Sequence, residues 1–413
     1  VLKILNLAIG VRFPYRLPKV SRNADLFFLI VISPMRRIVI APDSFKGSLS
    51  SSEVAAAIRE GIEDALPGCE TATVCMSDGG DGMISAMEAC LNAEKVCLTV
   101  QDPLGRPTEA VYLIADGTAV IEMAQASGLT CICPSERNPL KTSTYGTGEM
   151  ILDACNKGCR TFIIGLGGSA TNDAGCGMME ALGWRFFDSN GQLISRCSGE
   201  TLKSIAQVDV SSVKIDLSAC RFIAACDVEA VFTGPEGAAR VFAAQKGADK
   251  RMIEELEAGM ESYEKVILEQ YGVHLSEVKG SGAAGGLGGC LRTFFNAEIK
   301  KGSELILELT GFDSLIKGAD LVITGEGKID SQTFMGKIPS EIAHRAALQG
   351  VETLAIGGLV EVSADSVSKG IFKDILTIQP APKTEKEMSE AMNPETTKVN
   401  IRKTISRHFA ENS

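Results

Sequence analysis

The sequence predicts an α/β protein with two sheets, one of parallel strands and one mixed. Two observations carry this. Short apolar runs that end in Gly, Asp or Asn alternate with helical patterns, which is the signature of parallel α/β sheets. A central stretch with a different, turn-rich texture reads as hairpins. A chain of 413 residues, 45% apolar and 23% charged, is long enough for two or three domains with a sizeable core.

Taken in order, Arg37 to Ala41 is the first strand. Pro42-Asp43-Ser44-Phe45-Lys46-Gly47 follows, then a helix through Ser52 to Leu66, with N-cap candidates at Ser50 to Ser52 and Glu53 in its first turn. Thr73 to Met76 reads as a strand leading into Asp78-Gly79-Gly80-Asp81-Gly82 and a helix through Cys90. From Val96 to Met123, Pro103-Leu104-Gly105-Arg106 and Asp116-Gly117 are turns between alternating strands, and Asp188 to Gly191 is another turn. Thr161 to Gly165 is a strand, followed by a long Gly/Asp loop and a helix from Ala174 to Leu182. Phe222 to Cys226 ends at Asp227, Leu321 to Thr324 ends at Gly325-Glu326-Gly327-Lys328-Ile329-Asp330, and Thr353 to Ile356 ends at Gly357-Gly358. Lys250 to Tyr271 is a long amphipathic helix with a solvated outer face, and Glu385 to Phe409 is expected to form a closing pair of helices.

The formal charge of −11, without a basic block, argues against nucleic-acid or anionic-membrane partners, because neutralising phosphates needs clustered Lys and Arg. Any anionic ligand must be held by local amides, metal and a few lysines. The 13 cysteines are odd in number and dispersed, which fits buried thiols in a reducing cytoplasm better than a disulfide framework. Cys131-x-Cys133 and Cys155-x₃-Cys159 find no partner pair at zinc spacing. In residues 1–34, Arg12, Arg16, Lys19 and Arg22 precede the apolar stretch Leu26 to Ile32, too short to span a bilayer. Residues 1–34 are therefore expected to be a disordered extension, with Met35 the natural start.

The richest motif is Gly165-Leu166-Gly167-Gly168-Ser169-Ala170-Thr171-Asn172-Asp173-Ala174-Gly175. It follows a strand and opens a helix, so its amides and the helix dipole suit an anion. Its spacing also matches a dinucleotide fingerprint with Asp188 as the ribose acid. The polar run Ser169 to Asp173, and the turn in which Asp188 sits, argue against that reading. Gly280 to Gly289 reads as a close backbone approach to a ligand or a neighbouring helix. No G-x-x-x-x-G-K-[ST] occurs, so an ordinary P-loop is excluded. Seven carboxylates, Asp43, Asp78, Asp81, Asp173, Asp227, Glu326 and Asp330, each follow a strand. Phosphoryl transfer gives a reason for them: some hold Mg²⁺ on phosphates and one accepts the proton of an attacking hydroxyl. Lys46, Lys246 and Lys337 are candidates for neutralising phosphate or substrate charge.

These residues resemble the type I glycerate kinases. The matching stretches include Ile40-Ala-Pro-Asp43-Ser-Phe-Lys46, Asp78-Gly-Gly-Asp81-Gly, Arg137-Asn-Pro-Leu140, Gly146-Thr-Gly148-Glu149, Gly167-Gly-Ser-Ala-Thr-Asn-Asp173, Ala225-Cys-Asp227-Val, Gln245-Lys246-Gly247, Gly282-Ala-Ala-Gly-Gly286 and Ile323-Thr-Gly325-Glu-Gly-Lys-Ile-Asp330-Ser-Gln332, in family order over residues 36–360. The resemblance implies two α/β domains with the active site in the cleft between them. One is flavodoxin-like (residues 35–95 plus 285–413), and the other is an inserted mixed-sheet domain (residues 96–284). It implies transfer of the ATP γ-phosphate, with Mg²⁺, to D-glycerate, giving 2-phosphoglycerate in sugar-acid or glyoxylate breakdown. A homodimer is compatible with it. The chain departs from the family pattern at Ala230-Val231-Phe232, where Asn-Pro-Leu is usual, and at Ala243-Ala244, where Gly-Pro is usual.

The expected catalytic set is Asp43, Lys46, Asp78 and Asp330, with Asp43 or Asp330 as the general base. Metal ligation is expected from Asp78, Asp81 and Asp227. Substrate and nucleotide are expected at Gly79, Gly80, Gly167, Gly168, Ser169, Thr171, Asn172, Asp173, Asp227, Lys246, Gly282, Gly285, Gly286, Gly325, Glu326 and Gly327. Two rival readings are an NAD-dependent dehydrogenase and a non-catalytic metabolite-binding homologue.

Overall fold

The strands of the computed structural model, in chain order, are β1 Arg37–Ile40, β2 Glu70–Thr73, β3 Glu94–Gln101, β4 Pro107–Ala115, β5 Thr118–Glu122, β6 Thr161–Gly165 and β7 Arg185–Phe187. They continue with β8 Leu193–Ile194, β9 Gln207–Asp209, β10 Arg221–Ala225, β11 Glu298–Lys300, β12 Leu321–Ile329, β13 Glu352–Val360 and β14 Asp374–Thr377. The structure describes residues 37–76, 82–90, 93–361, 370–380, 384, 387 and 390–412. The expectations for residues 1–34, and for Asp78, Gly79, Gly80 and Asp81, lie outside them, as does part of the expected closing helix pair, of which Pro394–Asn412 is a described helix.

Five strands form a wholly parallel sheet in the order β14-β13-β12-β1-β2. Chain order reverses direction between β12 and β1, so the carboxyl ends of these two strands open onto a topological switch point, where α/β sheets bind ligands. A second, six-stranded sheet runs β11-β10-β6-β5-β4-β3. Its β5, β6, β10 and β11 are parallel, whereas β3, β4 and β5 meander antiparallel, as the Val96 to Met123 turns predict. The hairpin β7–β8 with β9 makes a small third sheet. Strand β11, beyond the 284/285 boundary expected from sequence, hydrogen-bonds to β10.

One apolar cluster joins the two large sheets. Val39 and Ala41 of the first share it with Leu113, Val120, Ile163 and Ile223 of the second, with Met83, Met87, Ile338 and Ile342 from intervening helices between them. The helix Ser51–Ala65 starts with a full capping box, in which the Ser50 side chain accepts from Glu53 N and Glu53 reaches back to Ser50 N. Helix Lys250–Tyr271 has the bounds expected from sequence; it begins at the Asp249 cap and stops at left-handed Gly272. Its inner face is more than a solvated surface: Leu256, Met260, Tyr263 and Ile267 lie in the core of the second sheet.

Candidate active site

The strand-end residues expected to carry chemistry converge on connected clefts. The largest, about 800 Å³, gathers Asp43 and Lys46 after β1, Asp227 after β10, and Glu326, Gly327 and Asp330 at the end of β12. A second, about 690 Å³, shares Lys46 with it and reaches Gly167 and Gly168 after β6. A third, about 330 Å³, is bounded by Gly167, Gly168, Ser169, Asp227, Lys246 and Ala284. The carboxyl ends of both large sheets thus face one connected space.

The β1 loop is stitched to β12: Asp43 N donates to Gly325 O at 2.8 Å, and Asp43 Oδ1 accepts from Ser44 N at 2.7 Å. Strand β12 continues past the expected end at Thr324 as far as Ile329, with Glu326 paired to Gly357 of β13. Glycine makes this possible, because a Cβ on Gly358 would lie 2.6 Å from Gly327 O. The Glu326 carboxylate is buried and accepts from Thr333 Oγ1 at 2.5 Å and Lys337 Nζ at 3.3 Å. It therefore anchors the 326–337 segment. Asp330, partly exposed, accepts from Gln332 N through Oδ1 and faces Lys328 Nζ at 3.9 Å. Asp227 Oδ1 accepts from Gly302 N at 3.0 Å, at the start of helix Gly302–Leu309.

The Gly165 to Gly175 loop divides into two parts. Gly167, Gly168 and Ser169 line the clefts. Thr171, Asn172 and Asp173 are wholly buried, and we propose a supporting role for them. Asp173 Oδ2 accepts from Thr144 N at 2.7 Å, Thr144 Oγ1 at 2.8 Å and Gly177 N at 3.2 Å, while Oδ1 accepts from Gly175 N at 3.2 Å. Burial pushes its pKa up against the pull of these donors. Lys246, also buried, donates to Thr171 O at 2.6 Å.

The Gly282 to Gly286 run packs against the back of this loop. Ala284, Gly285 and Gly286 form a left-handed turn with φ of 51°, 68° and 96°, and Ala174, at φ 51°, donates through its amide to Gly285 O. A Cβ on Gly285 would lie 2.2 Å from Thr171 O. Gly285 and Gly286 are thus required by contact between the two loops, and of this run Ala283 and Ala284 line a cleft. A Gly285→Ala change combines that clash with left-handed backbone, and we expect it to cost about 3 kcal/mol of stability in urea denaturation. A loss below 1 kcal/mol would contradict the interlock. The departing residues Ala230-Val231-Phe232 belong to the same support: Gly282 N donates to Ala230 O, and Phe232 is buried, where a Cβ on Gly286 would meet its ring at 2.7 Å.

The clefts also contain Lys301, Ser303 and Gln379, which sequence reasoning missed. Lys301 follows β11, a strand too short to show a pattern. Among the described residues no group of three or more His, Cys, Asp or Glu could hold a metal ion, and no helix is long and apolar enough to cross a membrane.

The sequence model of the Glycerate kinase family matches residues 38–409. The chain belongs to the glycerate kinase family. It is 43% identical over 326 residues to a glycerate kinase of Halalkalibacterium halodurans, covering 78% of this chain and 86% of the relative. It is 43% identical over 324 residues to the glycerate 2-kinase of Escherichia coli K12, covering 78% and 85%. A crystal structure from Salmonella typhimurium LT2, described as a candidate glycerate kinase 2, superposes with a TM-score of 0.79 at 38% identity, covering 91% of this chain and 98% of that one. Membership in the glycerate kinase family leaves the dehydrogenase reading unsupported. Asp188 sits in the β7–β8 turn, where its Oδ1 accepts from Asn190 N and Gln192 N.

Proposed function

We propose that this glycerate kinase family member transfers the γ-phosphate of ATP to the 2-hydroxyl of D-glycerate, giving 2-phosphoglycerate and ADP in the cytoplasm. The observation that carries the reading is the meeting of Asp43, Asp330, Asp227 and Lys46 at the switch point, on a chain of this family.

The hydroxyl oxygen forms the new O–P bond while the bond from the γ-phosphorus to the bridging oxygen breaks. Asp43 or Asp330 takes the hydroxyl proton. Lys46, with Lys301 and Lys337 in the same cleft, offsets phosphate charge, and the Gly167–Gly168 amides orient the transferred group. Local groups of this kind are required because the chain's overall charge, −11, repels the substrates. The carboxylates offer hard oxygens of the kind Mg²⁺ takes one or two at a time beside phosphates, and Asp227 is the described candidate. Bound there, Mg²⁺ would neutralise phosphate charge. We further propose that the described residues divide into those within 37–93 and 301–412, around the parallel sheet, and those within 94–300, around the mixed sheet, since β11 closes the latter. A homodimer is compatible with this reading, and no nucleic-acid partner is proposed.

NMR of the product formed from D-glycerate tests the position of transfer. We expect 2-phosphoglycerate; 3-phosphoglycerate would refute the stated regiochemistry.

A further inference from the structure

Resting on the kinase reading, we infer that the third cleft is the subsite for the acceptor acid, with the Lys246 ammonium binding its carboxylate, and that the largest cleft takes the nucleotide. Size and lining divide the ligands this way. A cleft of about 330 Å³ suits a three-carbon acid, and one of about 800 Å³ suits a nucleoside triphosphate. The large cleft is lined by apolar Phe45, Ile338, Leu359, Ile378 and Met392 together with Lys46, Lys301 and Lys337. That pairing serves a flat base at one end and phosphates at the other. A small hydroxy acid has no apolar face to bury there.

The third cleft lies where β6 and β10 end, walled by Gly167 to Ser169, by Ala283 and by Ala284 of the left-handed turn. Lys246 lines it while being only 2% exposed. An ammonium has three protons to donate, and among the described residues Lys246 makes one hydrogen bond, to Thr171 O at 2.6 Å. A ligand carboxylate supplies the acceptor and countercharge that a buried ammonium needs. The charged groups around Lys246 are Asp173 of the Gly165 to Gly175 loop, which favours its charged form, and Asp227, which lines the same cleft after β10. The Ala283 to Gly286 turn brings no charge. Burial outweighs Asp173 and lowers the Lys246 pKa to about 7. Asp227 borders both this cleft and the large one, whose wall carries Asp43 and Asp330, so the acceptor hydroxyl would reach out of this cleft to meet the γ-phosphate and the base there. Gly167–Gly168 border this cleft and the second.

The test is steady-state kinetics of the full chain and of Lys246→Met. The expected result is a KM for D-glycerate raised at least about tenfold, with the KM for ATP within about twofold of wild type, since about 1.4 kcal/mol of lost binding is tenfold. An unchanged KM for D-glycerate, or a rise confined to ATP, would overturn the assignment. If Lys246→Met does not fold, the wild-type pH profile decides. Deprotonation should lower kcat/KM for D-glycerate about tenfold per pH unit above about 7 while that for ATP stays level. A glycerate profile level to about pH 9 would overturn it. Wild-type turnover tests the kinase reading separately. Were it absent, calorimetric titration of D-glycerate into wild type and Lys246→Met would still test the subsite: weaker binding to the variant supports it and equal binding refutes it.

Discussion

Of Asp43→Asn and Asp330→Asn, at least one is expected to lower kcat by roughly 10²- to 10⁴-fold, the range that a positioned general base contributes. Both side chains lie on the cleft at the ends of β1 and β12, where the parallel sheet opens. Asparagine retains an oxygen acceptor at each place, so the Ser44 N and Gln332 N bonds can persist. What is lost is the capacity to take a proton, and kcat measured at saturating ATP and D-glycerate reads that loss. If both variants kept kcat within about threefold of wild type, neither aspartate would be the base.

Asp173→Ala is expected to have the largest effect on stability, about 3–5 kcal/mol, measured by urea denaturation. The change leaves the Thr144 hydroxyl and the Thr144, Gly175 and Gly177 amides without their buried acceptor. It also removes the carboxylate that favours the charged form of Lys246. The loop that presents Gly167 and Gly168 to the clefts would lose its anchor, so kcat/KM should fall as well. Asp188→Ala is a fitting contrast, because its carboxylate serves an exposed turn and its loss should cost no more than about 1 kcal/mol. Equal losses from the two variants would refute the supporting role assigned to Asp173.

Periodicity and punctuation made the parallel sheet legible, because Ile38 to Ile40, Leu321 to Ile323 and Leu354 to Ile356 are continuous apolar runs buried on both faces. The edge strand Glu70–Thr73 was displaced from the expected Thr73 to Met76, because a half-exposed edge carries no such run. The extension of β12 through Gly325-Glu326-Gly327 reads as a loop locally, and it is pairing with β13 that carries the strand on. In the site, strand-end carboxylates could be found because each follows an apolar run. Whether a polar residue faces the cleft or the core could not: Ser169 and Asp173 belong to one polar run, yet one lines a cleft and the other is enclosed. That difference depends on the Gly282 to Gly286 turn, more than a hundred residues away in the chain. Lys301 depends likewise on the three-residue strand β11.

The most direct test of the central claim is ADP release by the purified chain, with ATP and Mg²⁺ present, measured with and without D-glycerate. The account predicts ADP release that depends on D-glycerate and saturates with it. No increase over the rate without D-glycerate, in a folded preparation, would contradict it.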